Sequence, residues 1–112
     1  MLASLKDHTY IGLYAGQPVA MFVLFDKTMD PALRTKVSEL TYVYVDKRCR
    51  DLGFGQQVVT EAKRIAIASG NTCIMLDTLK PRLDRFYEKQ GASVVAEGQL
   101  FSHPTEVLAM RI

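Results

Sequence analysis

The run Arg50-Asp51-Leu52-Gly53-Phe54-Gly55 has the residue types and the setting needed to hold an anion. It follows Glu39–Val45, a β-branched and aromatic stretch that reads as a strand. It precedes Gln56–Ser69, where Val58, Val59, Ala62, Ile65 and Ala66 recur at helical spacing. Gly53 and Gly55 lack a Cβ, so the loop can take positive φ and an anion can approach the main chain closely. The unpaired N–H groups of the helix's first turn then meet that anion with the positive end of the dipole. Lys47, Arg48 and Arg50 concentrate positive charge beside the loop, a pattern that a solvated surface loop also produces. Two glycines equally serve a tight strand-to-helix turn, so the loop alone does not decide. Two other phosphate loops are poor fits. Gly55 is followed by Gln56-Gln57, not by the Lys-Ser/Thr of a P-loop, and Val58 stands where a dinucleotide fingerprint needs a small residue.

The elements that must position this loop lie in one domain, residues 1–112, with 48% apolar and 23% charged residues. No apolar run reaches the roughly eighteen residues of a membrane span, and the N-terminus lacks a signal-peptide layout, so a cytoplasmic protein without a membrane partner is expected. A net charge of +2 gives no case for nucleic acid. Cys49 and Cys73 form no Cys-x-x-Cys, and His8 and His103 are isolated, so free thiols, surface or structural histidines and no metal are expected.

Thr9–Tyr14 and Val19–Phe25 read as a hairpin around Ala15-Gly16-Gln17-Pro18. Asp26–Ser38, polar and containing Pro31, reads as a loop with at most a short helical turn. After the glycine loop and first helix, Gly70-Asn71 ends the helix and Cys73–Asp77 forms a buried strand parallel to Glu39–Val45. Pro81–Gln90 reads as a second helix capped by Gly91, with Leu83, Phe86 and Tyr87 inward. Ser93–Ala96 and Glu106–Arg111 make a final strand pair around a loop holding His103-Pro104. The order β-β-β-α-β-α-β-β implies an α/β (α+β) fold with a mixed sheet, antiparallel early and parallel across the glycine loop.

This order and two motifs resemble the GNAT superfamily of acyl-CoA-dependent N-acetyltransferases. Arg50-x-x-Gly53-x-Gly55 is similar to the family's Gln/Arg-x-x-Gly-x-Gly/Ala pyrophosphate loop. Phe86-Tyr87-Glu88-Lys89-Gln90-Gly91-Ala92 is similar to its Tyr-Glu-Lys-x-Gly-Phe segment. The resemblance runs from about Thr9 to Ile112 and implies acetyl-CoA as cosubstrate. On it, the strand Glu39–Val45 splays from Cys73–Asp77 and the pantetheine arm lies in the gap, met by the main chain of Val43, Tyr44 and Val45. The main chain of Arg50, Asp51, Leu52, Gly53, Phe54, Gly55 and Gln56 wraps the pyrophosphate. Tyr87 aligns with the tyrosine that in many members protonates the coenzyme A sulfur, and the alternative is a core tyrosine on a helix face. Glu39 stands where some branches place a general base, and the alternative is an exposed strand-end carboxylate.

Lys80-Pro81 stands where many members have a cofactor-holding asparagine, so Lys80 either meets the phosphates or faces water. Members usually begin with a strand and one or two helices, which the residues before Thr9 are expected not to supply. The acceptor site would then be open, and a homodimer would cover it. Ile11, Leu13, Met21, Val23 and Phe25 form the apolar patch that such a partner would bury. The expected activity is acetyl transfer to a primary amine of a small molecule or peptide. A non-catalytic acyl-CoA-binding module is the alternative, and a nucleotide-binding α/β protein is a third.

Overall fold

The computed structural model describes residues 2–4, 8–30, 35–78, 81–100 and 103–112. Seven strands form one sheet in the order β1-β2-β3-β4-β5-β7-β6: β1 Leu2–Ser4, β2 Thr9–Tyr14, β3 Gln17–Asp30, β4 Thr35–Val45, β5 Cys73–Thr78, β6 Ala92–Leu100 and β7 His103–Arg111. Every neighbouring pair is antiparallel except β4 and β5. A 3₁₀ turn, Lys47–Leu52, and helix α1, Phe54–Ala68, make the crossover between those two; α2, Pro81–Lys89, follows β5.

Both helices pack on one face of the sheet. Val58, Val59, Ala62 and Ala66 of α1 and Tyr87 of α2 share a core with Phe22, Leu24, Leu40, Ile74, Leu76, Leu108 and Met110. Register explains why these strand residues meet: Leu24 opposes Leu40, Ile74 opposes Met110 and Leu76 opposes Leu108, and directly paired residues share a face. Two-residue hairpin geometry at Ala15-Gly16, both at positive φ (51° and 78°), sets the register of β2 on β3.

Four expectations need correction. Asp26–Ser38 is largely strand: Asp26 pairs with Ser38, Lys27 with Val37 and Thr28 with Lys36. Strand pairing is satisfied by the main chain, so polar side chains do not prevent it. Pro31 lies outside the described residues. A strand does precede Thr9, since Leu2–Ser4 pairs along β2. The final pair is longer than expected, and His103 and Pro104 lie within β7 opposite Leu100 and Gln99. On α2, Leu83 is exposed and Asp84 is buried. Asp84 accepts a hydrogen bond from Thr78 Oγ1 at the end of β5, which makes its burial tolerable and turns Leu83 outward.

Candidate active site

The glycine loop leads from a 3₁₀ turn into an uncapped helix start. Asp46 opens the 3₁₀ turn: its carboxylate accepts from the Arg48 N–H at 2.9 Å and from Arg48 Nε and Nη2 at 3.2 Å each. These bonds hold the Asp46 carboxyl below the usual carboxylate range and engage the Arg48 guanidinium. Arg50 Nε donates to the Val45 carbonyl at 3.2 Å, folding its side chain back over the end of β4. Gly53 is left-handed at φ 82° and forms the N-cap of α1 without any side-chain cap. Gln57 N–H donates to Gly53 O at 3.1 Å, so the N–H groups of Phe54, Gly55 and Gln56 come before the first helical bond. No acidic side chain stands in that first turn. A helix start with neither side-chain cap nor carboxylate has backbone donors and a dipole of the sign that an anion can meet. Leu52 is exposed, and the Asp51 side chain lies outside the described residues.

Gly55 serves a different purpose from Gly53. It is helical rather than at positive φ, and a Cβ there would sit 3.3 Å from the Phe86 ring. The missing side chain brings α2 against the head of α1. Phe86 in turn meets Tyr87 edge to face at 5.1 Å.

Beside this loop the sheet forks. β4 and β5 pair only at Ser38–Ile74 and Glu39–Met75, after which β5 continues along β7 alone. A bulge in β4 accompanies the divergence. Val23 opposes Thr41 and Met21 opposes Tyr44, so Tyr42 and Val43 together face Phe22, with Tyr42 at φ 52°. The extra residue shifts the alternation: Val43 and Val45 pack on the core, whereas Tyr42 and Tyr44 are exposed. From Leu40 onward β4 therefore presents a strand edge toward β5 with no paired strand on it. The closed end of the fork is clamped. Asn71 Nδ2 donates to Asp26 Oδ1 at 2.7 Å and to Ser38 Oγ at 2.8 Å, tying the α1–β5 connection to both strands of the β3–β4 hairpin.

The two candidate side chains stand on opposite faces at this fork. Tyr87 is buried in the helix-side core, and that burial raises its hydroxyl pKa above the ordinary 10.0. Glu39, in the last parallel pair, is half-buried and faces away from Leu40 and the helices. An apolar cleft of about 240 Å³ lies elsewhere, between α1 and the β2–β3 hairpin, with Ala20, Phe22 and Val58 in its wall. It reaches the start of α1 at Phe54 and Gln57.

A strand-edge fork leading to an uncapped helix start agrees with the sequence comparison, in which the model of the Acetyltransferase (GNAT) family matches residues 2–92. The chain belongs to the GNAT acetyltransferase family. Solved GNAT structures share the fold. An IAA acetyltransferase from Bacillus cereus ATCC 14579 superposes with a TM-score of 0.74 at 17% identity, covering 93% of this chain and 77% of that one. A GNAT acetyltransferase from Elizabethkingia anophelis, with acetyl-CoA bound, gives 0.76 at 13% identity over 93% and 75%. Arabidopsis thaliana Naa50, in complex with the bisubstrate analogue CoA-Ac-MVNAL, gives 0.76 at 14% over 95% and 74%. No curated protein matches the sequence.

Within this GNAT framework, the sequence named the glycine loop, Tyr87 and Glu39 as candidates but not the residues that bond and pack around them. Asn71 was legible only as a helix terminator, although an amide following a glycine stop is a ready side-chain donor. Asp84 stands one turn before Tyr87, the spacing that puts both on one helix face. Nothing in the local sequence announces the bulge at Tyr42. Lys80 lies outside the described residues. Among the described residues, no group of three or more His, Cys, Asp or Glu could hold a metal, and no helix is long and apolar enough to cross a membrane.

Proposed function

We propose that the protein transfers an acetyl group from acetyl-CoA to a primary amine by direct attack. The observation that carries this reading is the continuity of the open β4 edge with the uncapped start of α1. Pantetheine amides fit an unpaired strand edge as an added strand would, through the main chain of Val43, Tyr44 and Val45. The pyrophosphate fits the N–H groups from Arg50 through Gln56. Glu39, on the acceptor side, takes the ammonium proton directly or through a water and frees the amine lone pair. The C–N bond forms, the C–S bond breaks, the Tyr87 hydroxyl gives the departing thiolate its proton, and the proton that the nitrogen sheds on becoming an amide passes through solvent to restore the tyrosine. The raised Tyr87 pKa keeps that proton in place at neutral pH.

The tight packing of Tyr87 also favours a second reading, an acyl-CoA-binding module in which it is only a core residue. Free-thiol release from acetyl-CoA across amines, polyamines, amino acids and peptides separates the two. Turnover with any acceptor removes the module; coenzyme A binding with no turnover removes the transferase. In the transferase, Glu39→Gln lowers the rate most at neutral pH and least at high pH, where the amine is neutral unaided. A second copy of the chain over the half-buried residues Ile11, Met21 and Val23 would wall the acceptor side.

A further inference from the structure

The cleft between α1 and the β2–β3 hairpin lies under the helices, on the sheet face opposite the one that carries Ile11, Met21 and Val23. Its floor is a rung of the smallest side chains. Gly12 pairs with Ala20, and a Cβ on Gly12 would sit 3.3 Å from that of Ala20. The rung continues uncharged in both directions, to Val45 of β4 and to Leu2 of β1, whose side chain lies outside the described residues. The next rung is bulky: Tyr10 and Phe22 stack there with ring centroids 5.2 Å apart and close one end of the cleft. The roof is a single stripe of α1, with Phe54, Gln57, Val58 and Glu61 at positions i, i+3, i+4 and i+7. At the mouth, the Thr60 hydroxyl donates to the Gln56 carbonyl at 3.0 Å and Glu61 accepts from Arg64 Nε at 2.7 Å. The exposed Gln57 amide stands beside them, within reach of a ligand's polar edge.

We infer that this cleft is an effector site that takes an uncharged aromatic molecule of one or two rings and tightens coenzyme A binding through Phe54. The effector role rests on the cofactor reading; the binding site itself does not. Apolar cavities of about 150 Å³ stay dry and bind benzene, so about 240 Å³ leaves room for a second ring. A charged ligand would lose its hydration against these aromatic and aliphatic walls without gaining a partner. Phe54 joins the two sites. It is the first residue of α1, its N–H stands in the turn proposed to meet the pyrophosphate, and its ring walls the cleft. Tyr14 meets that ring edge to face at 5.5 Å. A ligand packed on Phe54 holds the helix start in place before coenzyme A arrives, so less ordering remains for the cofactor to impose.

The chain has no tryptophan, so indole, excited where tyrosine does not absorb, reports its own surroundings. Titrating indole with the protein should give a saturable blue shift of its emission. Ala20→Val and Ala20→Leu fill the cleft in two steps, and indole affinity should fall roughly fourfold for each ligand carbon displaced. Both variants should keep the melting shift given by coenzyme A, which shows them folded; valine suits a strand if leucine overpacks. Calorimetric titration of coenzyme A with and without saturating indole should show about fivefold tighter binding with it, and coenzyme A should raise indole affinity by the same factor. No saturable shift, or undiminished binding by the Ala20 variants, overturns the site. Coenzyme A affinity left unchanged by indole overturns the effector role. Weakened affinity overturns it too, because it places indole in the cofactor groove. Coenzyme A that does not bind overturns the cofactor reading and the effector role together, while the indole titration still decides the site.

Discussion

Gly53→Ala tests the glycine loop most directly. At φ 82° a residue with a Cβ pays roughly 1–2 kcal/mol. No atom lies within 4 Å of the position that Cβ would occupy, so no steric clash adds to it. For a chain of 112 residues, 1 kcal/mol corresponds to about 4 °C in melting temperature, so the variant should melt about 4–8 °C lower and remain folded. Coenzyme A at a hundredfold its Kd should add about 2.7 kcal/mol to the parent protein, a rise of about 11 °C. On the proposed reading the methyl group competes with the pyrophosphate for the open space at this position, so the variant should lose most of that rise. Gly53→Asn separates the two effects, because asparagine tolerates left-handed φ: its baseline should lie nearer the parent while the ligand shift is still lost. The assay is thermal melting with and without coenzyme A, with NAD as the control that should do nothing. If Gly53→Ala melts lower yet shows the full shift, the glycine serves the turn alone and the phosphate does not sit there.

Tyr87→Phe should leave the coenzyme A melting shift intact and lower turnover by about ten- to a thousandfold in steady-state assays. Because burial raises the folded pKa of Tyr87 above 10.0, its protonated form is favoured by folding: stability is fully present below pH 10.0 and declines as pH rises past it. Denaturation from pH 8 to 11 should show that decline weakened in Tyr87→Phe. Asn71→Ala removes two side-chain hydrogen bonds, one to a carboxylate and one to a buried hydroxyl, and should cost about 2–4 kcal/mol in urea unfolding. Light scattering on a dilution series should detect a homodimer; a monomer at every concentration would dismiss the proposed second copy.

From Thr9 onward the order of elements, the glycine loop included, was written locally. A β-branched strand, a glycine loop and a helix with apolar residues at helical spacing state their own conformations, because propensity and periodicity act over a few residues. The face assignment of the site was not. Simple alternation from Leu40 would bury Tyr42 and Tyr44 and expose Val43 and Val45, and the bulge reverses all four. That reversal is chosen by partners far along the chain: Phe22 fills the place opposite the extra residue, and Asn71 pins the hairpin at the other end. The same is true of Asp26–Ser38, whose polar composition reads as loop until β3 and β4 pair main chain to main chain. Asp84 likewise becomes an interior residue only because Thr78 meets it. Local sequence therefore determined where the glycine loop and the helix start lie. Long-range pairing decided where the sheet opens beside them, because a strand edge exists only by virtue of the strand that turns away from it.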